Sequence, residues 1–225
     1  MLSDVIGELL PTAVAVACSP IPIVAVVLVL GGPGARARGV AFAVGWVAGL
    51  TIASSLIVVI VGTATDPGSD AATGVNWLMA AIGVLFLAMA GQQWTKRPAP
   101  GETPKMPSWM ASVGSVAPMR AMLLGAGLSG ANPKNLALTF AAAAAIADAE
   151  LAGADALIAA VTFVAIGSVS VVGAVVFYLL GPDRAARPLA AVRQFMAANN
   201  ATIMMVVLLI LGAKLIGDAV AGVWS

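Results

Sequence analysis

Six apolar runs, each bounded by charge, glycine or proline, dominate the sequence. They cover roughly residues 9–31, 39–62, 75–95, 119–147, 153–180 and 200–222. A helix of about 20 apolar residues crosses the hydrocarbon core of a bilayer. Lipid offers no partner to a backbone N–H or C=O, so an open strand cannot survive there and a helix can. The expected fold is therefore an all-α polytopic membrane protein with six transmembrane helices. The fourth and fifth runs exceed what a bilayer needs and must tilt, break or extend past the lipid. Composition agrees: 61% of the 225 residues are hydrophobic and 9% charged, against about 25% charged in an ordinary soluble domain. That excludes a water-soluble globular enzyme.

The charges sort by loop. Arg36 and Arg38 lie between the first two runs. Lys96, Arg97, Lys105 and Arg120 lie between the third and fourth or at its edge, and Arg184, Arg187 and Arg193 between the fifth and sixth. Asp4, Glu8, Asp66, Asp70, Asp148, Glu150, Asp155 and Asp218 collect at the other ends. The positive-inside rule then places loops 32–38, 96–118 and 181–199 in the cytoplasm and both termini outside. Trp77 and Trp224 mark the outer edge, Trp94 and Tyr178 the inner one. The basic residues are read as topology signals, not as ligands. The N-terminus, with Asp4 and Glu8 and no early Lys or Arg, makes a poor signal peptide.

Several function classes drop out. A net charge of +1 gives no basic surface for nucleic acid. The chain has no His and one cysteine, Cys18, which leaves no disulfide framework, thiol relay or His/Cys metal site. Neither metal nor cofactor is expected.

The proline-rich stretch 96–118 divides the chain into a first three-helix unit (1–95) and a second (119–225). Three spans per half force the halves into opposite orientations, the geometry of a 3+3 inverted-topology repeat. The first span carries CSPIPIVAVVLVLGG and the fourth SGANPKNLALTFAAA, each a short polar, proline-bearing interruption followed by an apolar helix. Setting LFLAMAGQQW (85–94) against LLILGAKLIG (208–217) puts Gly91 opposite Gly212 and Gln93 opposite Lys214. Matched interruptions in corresponding spans point to a transport site.

Proline within a span removes an N–H and frees a carbonyl one turn earlier. The breaks at Ser19-Pro20-Ile21-Pro22 and Asn132-Pro133 would each expose such groups, with Ser19 and Asn132 standing where capping side chains stand. Lys134, near the middle of its run, cannot reach the interface. It needs a partner: a released carbonyl, Asn135, Gln92 or Gln93, or an anionic ligand. Lys214 lies nearer an end and could pair with Asp218. No acid occupies the centre of any span, which disfavours proton or sodium coupling. Gly45-xxx-Gly49 and Ala213-xxx-Gly217 should let helices approach closely. Gly125, Gly127 and Gly130 should serve packing or lend flexibility to the second break.

At SPIP in the first span and GANPKN in the fourth, the chain resembles the LysE transporter superfamily, most closely its GAP (peptidoglycolipid-addressing) or Sap (sulfolipid-addressing) family. The likeness runs over essentially the whole chain. It implies a LysE-like, multi-pass inner (plasma) membrane protein that helps move cell-envelope glycolipids toward the surface. By motif match, Asn132, Pro133, Lys134 and Asn135 are the signature residues of span four, and Pro20 and Pro22 those of span one.

The expected function is transport, or assistance to transport, of an anionic or glycosylated envelope lipid. Ser19, Pro20, Pro22, Asn132, Pro133, Lys134 and Asn135 would form the binding site, with Gln92, Gln93 and Lys214 as secondary polar candidates. No bond is made or broken, so no catalytic residue is expected. The alternatives are a LysE-type exporter of amino acids or other small solutes and a non-transporting scaffold. Expected partners are membrane lipids, a lipid substrate, and a larger lipid-export complex or a second copy.

Overall fold

The computed structural model describes residues 2–32, 34–64, 70–97 and 113–224. Among these the chain is all helical, without a strand. The helices are α1 (Leu2–Ala17), α2 (Pro20–Leu30), α3 (Ala35–Ala64), α4 (Asp70–Thr95), α5 (Pro118–Gly130), α6 (Pro133–Asp148), α7 (Gly153–Leu180), α8 (Pro182–Ala198) and α9 (Asn200–Trp224).

Four helical stretches are long and apolar enough to cross a bilayer alone: Ala35–Val61, Gly74–Thr95, Gly153–Leu180 and Asn200–Ala221. Helices α1 and α2 meet that standard as a pair bent by 51°, a broken span or a re-entrant loop. The described residues thus hold four or five membrane-crossing candidates, and the chain is a multi-pass membrane protein. The fourth apolar run divides into α5 and α6, of 13 and 16 residues, each short of a full bilayer crossing.

Two expected loops are helical in part or whole. Segment 181–199 is mostly α8. Pro182 opens it at a position where a missing N–H costs nothing. Ala185 and Leu189 are buried, while Arg184, Arg187 and Arg193 are exposed, so the pattern is amphipathic rather than loop-like. Likewise α3 begins at Ala35 and takes in Arg36 and Arg38. Most of the proline-rich stretch, residues 98–112, lies outside the described residues, as do Asp66 and the side chains of Asp70 and Trp224.

Small residues set the packing. Helices α3 and α5 run parallel in backbone contact: Gly45 sits on Met122, Gly49 on Ala126 and Gly130, and Gly125 on Phe42 and Trp46. Helices α4 and α9 run antiparallel, with Gly83 against Gly212 and Ile216, and Gly212 against Leu87. Gly167 of α7 meets Val16 of α1 and Leu50 of α3. The Gly45-xxx-Gly49 reading therefore holds, and Gly125 and Gly130 are packing residues. Gly91, Gly127 and Gly217 have nothing within 4 Å of an added Cβ. The Ala213-xxx-Gly217 contact is thus replaced by Gly83–Gly212. An antiparallel pair registers where both backbones are bare, and that happens at mid-helix in α4.

Around these crossings Phe42, Trp46, Leu50, Phe86, Phe163, Leu208, Leu211 and Leu215 are fully buried. Ile52, Val59, Val84, Leu157, Val169 and Ile210 are exposed on the outer surface, as residues facing hydrocarbon should be.

A candidate site at the two helix breaks

The first break begins where α1 stops at Ala17. The carbonyls of a final helical turn have no helical donor and need other partners. Here each finds one. The Ser19 hydroxyl donates to the Val16 carbonyl at 2.7 Å, the Ser170 hydroxyl of α7 to the Ala17 carbonyl at 2.7 Å, and the Lys134 ammonium of α6 to the Ala15 carbonyl at 2.8 Å.

Ser19 occupies the N-cap position of α2 with extended backbone, yet its side chain makes no capping bond. The expectation that it caps is corrected, and the reason lies in the prolines. Pro22, the third residue of α2, carries no N–H, so one of the two donors that a cap would satisfy does not exist. The hydroxyl is released for other work: having donated to Val16, it accepts from the Lys134 ammonium.

The second break closes on itself. The Asn132 side chain caps α6, accepting from the Lys134 backbone N–H at 3.0 Å. The Asn135 amide donates to two of the carbonyls left by the end of α5, Leu128 and Ser129, at 3.2 Å each. Thr139 returns a hydroxyl to the Asn135 carbonyl at 2.8 Å. Pro133 opens α6 as Pro20 opens α2.

Lys134 joins the two breaks. It is 6% exposed, its stem belongs to the second half and its acceptors to the first. It pairs with no carboxylate among the described residues. A buried ammonium without a counter-ion is costly even when hydrogen-bonded, so this position is held against its own desolvation. Two further buried polar atoms have no hydrogen-bond partner in the protein: the Asn135 Oδ1, on a residue with 0% exposure, and the Ser168 Oγ of α7. The arrangement offers an ammonium, hydroxyls and amide groups that could hold an anionic or hydroxyl-rich group if the halves separated. As it stands the site is shut. Cys18, between α1 and Ser19, is a free, exposed thiol.

The structure thus gathers Ser19, Pro20, Pro22, Asn132, Pro133, Lys134 and Asn135 around one centre. It does not bring in the secondary candidates. Gln92 and Gln93 lie in the last turn of α4, beside Trp94, over whose ring the Arg97 guanidinium stacks at 3.3 Å. Lys214 lies toward the other end of the antiparallel α9. It pairs with Asp218 at 2.6 Å and approaches Glu8 at 3.7 Å, as its position near a helix end suggested. Asp148, just past the fourth apolar run, has its carboxyl raised above the usual range by burial, with Glu8 and Asp218 adding repulsion. Ser129, Ser168 and Ser170 escaped the sequence reading. Their one available signal is arithmetic: the carbonyls freed at the first break outnumber its local donors, so a neighbouring helix must supply one.

The sequence matches the family described as Sap, sulfolipid-1-addressing protein, over residues 9–221. No curated protein matches the chain, and no solved structure does.

Proposed function

Because this chain belongs to the Sap, sulfolipid-1-addressing protein, family, we propose that it moves, or helps to move, an anionic or glycosylated envelope lipid from the inner membrane toward the cell surface. The observation that carries this reading is Lys134: a buried cation held between the halves by acceptors from the opposite half. Rocking of the halves would strip those acceptors away and leave the ammonium free for a sulfate, phosphate or carboxylate. Asn132 and Ser19 would then add hydrogen bonds. Nothing in this cycle makes or breaks a covalent bond, so the protein acts as a carrier or carrier subunit and not as an enzyme.

The architecture we infer is LysE-like, GAP-type and six-span. The pairs α1–α2 and α5–α6 form the first and fourth crossings, α3 and α7 the second and fifth, and α4 and α9 the third and sixth. Three sets of helix contacts support this pairing of the halves. Helix α3 packs on α5 and α6, as α7 packs on α1 and α2, while α4 and α9 pack on each other. Gly49 and Gly167 each lie fourteen residues past the start of their helices, at Ala35 and Gly153. Each packs against the end of the broken helix of the other half. Both breaks are two residues long and both restart at proline. The face carrying Arg36, Arg38, Arg184, Arg187 and Arg193 is cytoplasmic in this reading, and the termini are outside.

The complete sheltering of Lys134 favours one second reading, an accessory subunit in which the ammonium only fastens the halves together. The test is a deletion strain complemented with wild type or Lys134→Met, with lipidomics of inner-membrane and surface fractions. Wild type should restore a surface lipid. K134M, expressed at the same level, should leave that lipid inside. Full restoration by K134M would leave the fastening role alone, and accumulation of amino acids in place of lipid would overturn the reading.

A further inference from the structure

Arg38 is a second buried cation, and it is less satisfied than Lys134. It is 4% exposed. Its Nη1 donates to the Gly114 carbonyl, while Nε and Nη2 are buried with no hydrogen-bond partner. No carboxylate among the described residues pairs with it. A guanidinium has five N–H groups in a planar fork suited to a tetrahedral oxyanion or a carboxylate. Here Nε and Nη2, most of that fork, have no hydrogen-bond partner.

The surroundings are cationic as well. Arg38 N donates to the Gly34 carbonyl, the first bond of α3, so the N–H groups of Ala35, Arg36 and Ala37 precede any helical acceptor. The guanidinium turns back across this first turn, as helical side chains do. A Cβ on Gly32 would lie 2.8 Å from Nη2 and would strike the Gly114 carbonyl. Bare backbone at Gly32 and Gly114 is what lets the fork reach this spot. A positive helix end and a buried cation share one place, and no carboxylate among the described residues pairs with the guanidinium, an arrangement that favours an anion.

We propose that Arg38 and the first turn of α3 bind one oxyanion headgroup, of phosphate or sulfate type, at the basic face, with the Gly114 carbonyl as a placeholder that the anion displaces. The site is separate from the Lys134 centre. Gly49, level with the second break, lies eleven residues along α3 from Arg38, about 17 Å at the helical rise. It goes beyond the transport reading, which can stand or fall without it.

The test is native mass spectrometry of the full chain in detergent, offered phosphatidylglycerol or phosphatidylcholine. Wild type should retain one phosphatidylglycerol over phosphatidylcholine by about tenfold or more, the scale of one charge-assisted fork. Arg38→Gln should lose that preference, while Arg36→Gln at the exposed neighbour and Lys134→Met should keep it. Sodium sulfate, matched in ionic strength against chloride, separates the sources: displacement of the lipid means that the free oxyanion suffices, and its failure means that the headgroup is read as part of a lipid. Loss of the preference in K134M with retention in R38Q would overturn the assignment and leave the central site standing. Should R38Q not accumulate, wild type decides alone: no selective retention and no response to sulfate overturns the proposal.

Discussion

The two helix breaks look alike in sequence and solve their hydrogen bonding in opposite ways. The second draws on its own helix, since Asn132 caps the new helix and Asn135 takes up two carbonyls at the end of the old one. The first is open, since two of its three freed carbonyls are satisfied from the other half, by Lys134 and Ser170. The difference traces to one position. Asparagine two residues after Pro133 carries an amide that reaches back over the break. The matching residue after Pro20 is Pro22, which has no donor at all. A break that cannot satisfy itself becomes an interface. The second half is built to be rigid at its break, and the first half is built to depend on the second.

The glycines beside the breaks give the largest test of this contrast. An added methyl at Gly49 would press on the backbone of Ala126, its Cα at 2.8 Å, and on the Ser129 hydroxyl at 2.5 Å. At Gly167 the nearest atoms are the side chains of Leu50 and Val16, both at 3.2 Å. The backbone of Ala126, inside α5, cannot yield, whereas side chains at the open break can. Gly49→Ala should therefore cost about 2–3 kcal/mol and Gly167→Ala under about 1 kcal/mol, measured by unfolding in mixed micelles. Equal costs would mean that the two breaks are equally stiff. Next in size, Asn135→Leu strips both Leu128 and Ser129 and should cost about 2 kcal/mol, against about 1 kcal/mol for Ser170→Ala, which strips only Ala17.

Much of this was legible in the sequence, and the failures have physical causes. Proline marked both breaks, because a missing N–H is a local fact. A mid-span lysine announced that it needed acceptors, because lipid supplies none. The identity of those acceptors was not readable, since Ala15 and Ser19 lie over a hundred residues from Lys134 and come close only when α1 packs on α6. The position of Ser19 predicts a cap, but Pro22 removes one N–H that it would take and the hydroxyl is drawn to Val16 and Lys134 instead. The register of α4 on α9 follows bare backbone at Gly83 and Gly212 and not an alignment of the repeats. Arg38 read as a topology signal because loop charges usually are solvated. It is buried because α3 starts early and Gly114 folds over it.

The finest test separates the roles of Ser19 and Asn132, which the sequence treats as equivalents. Asn132 satisfies a backbone N–H, so Asn132→Ala should cost about 1 kcal/mol and Asn132→Gly only a few tenths, since glycine is tolerated at an N-cap. Ser19 serves a side chain, so Ser19→Gly should be as damaging as Ser19→Ala. A double-mutant cycle with Lys134→Met makes the distinction independent of either variant's absolute stability. The backbone N–H at position 134 is unchanged by methionine. Asn132→Ala and K134M should therefore add to within about 0.5 kcal/mol. Ser19→Ala and K134M remove the two ends of one hydrogen bond and should couple by about 1 kcal/mol or more. Coupling at Asn132, or its absence at Ser19, would mean that the ammonium is not held by the first break. The asymmetry between the two breaks would then rest on Ser170 alone.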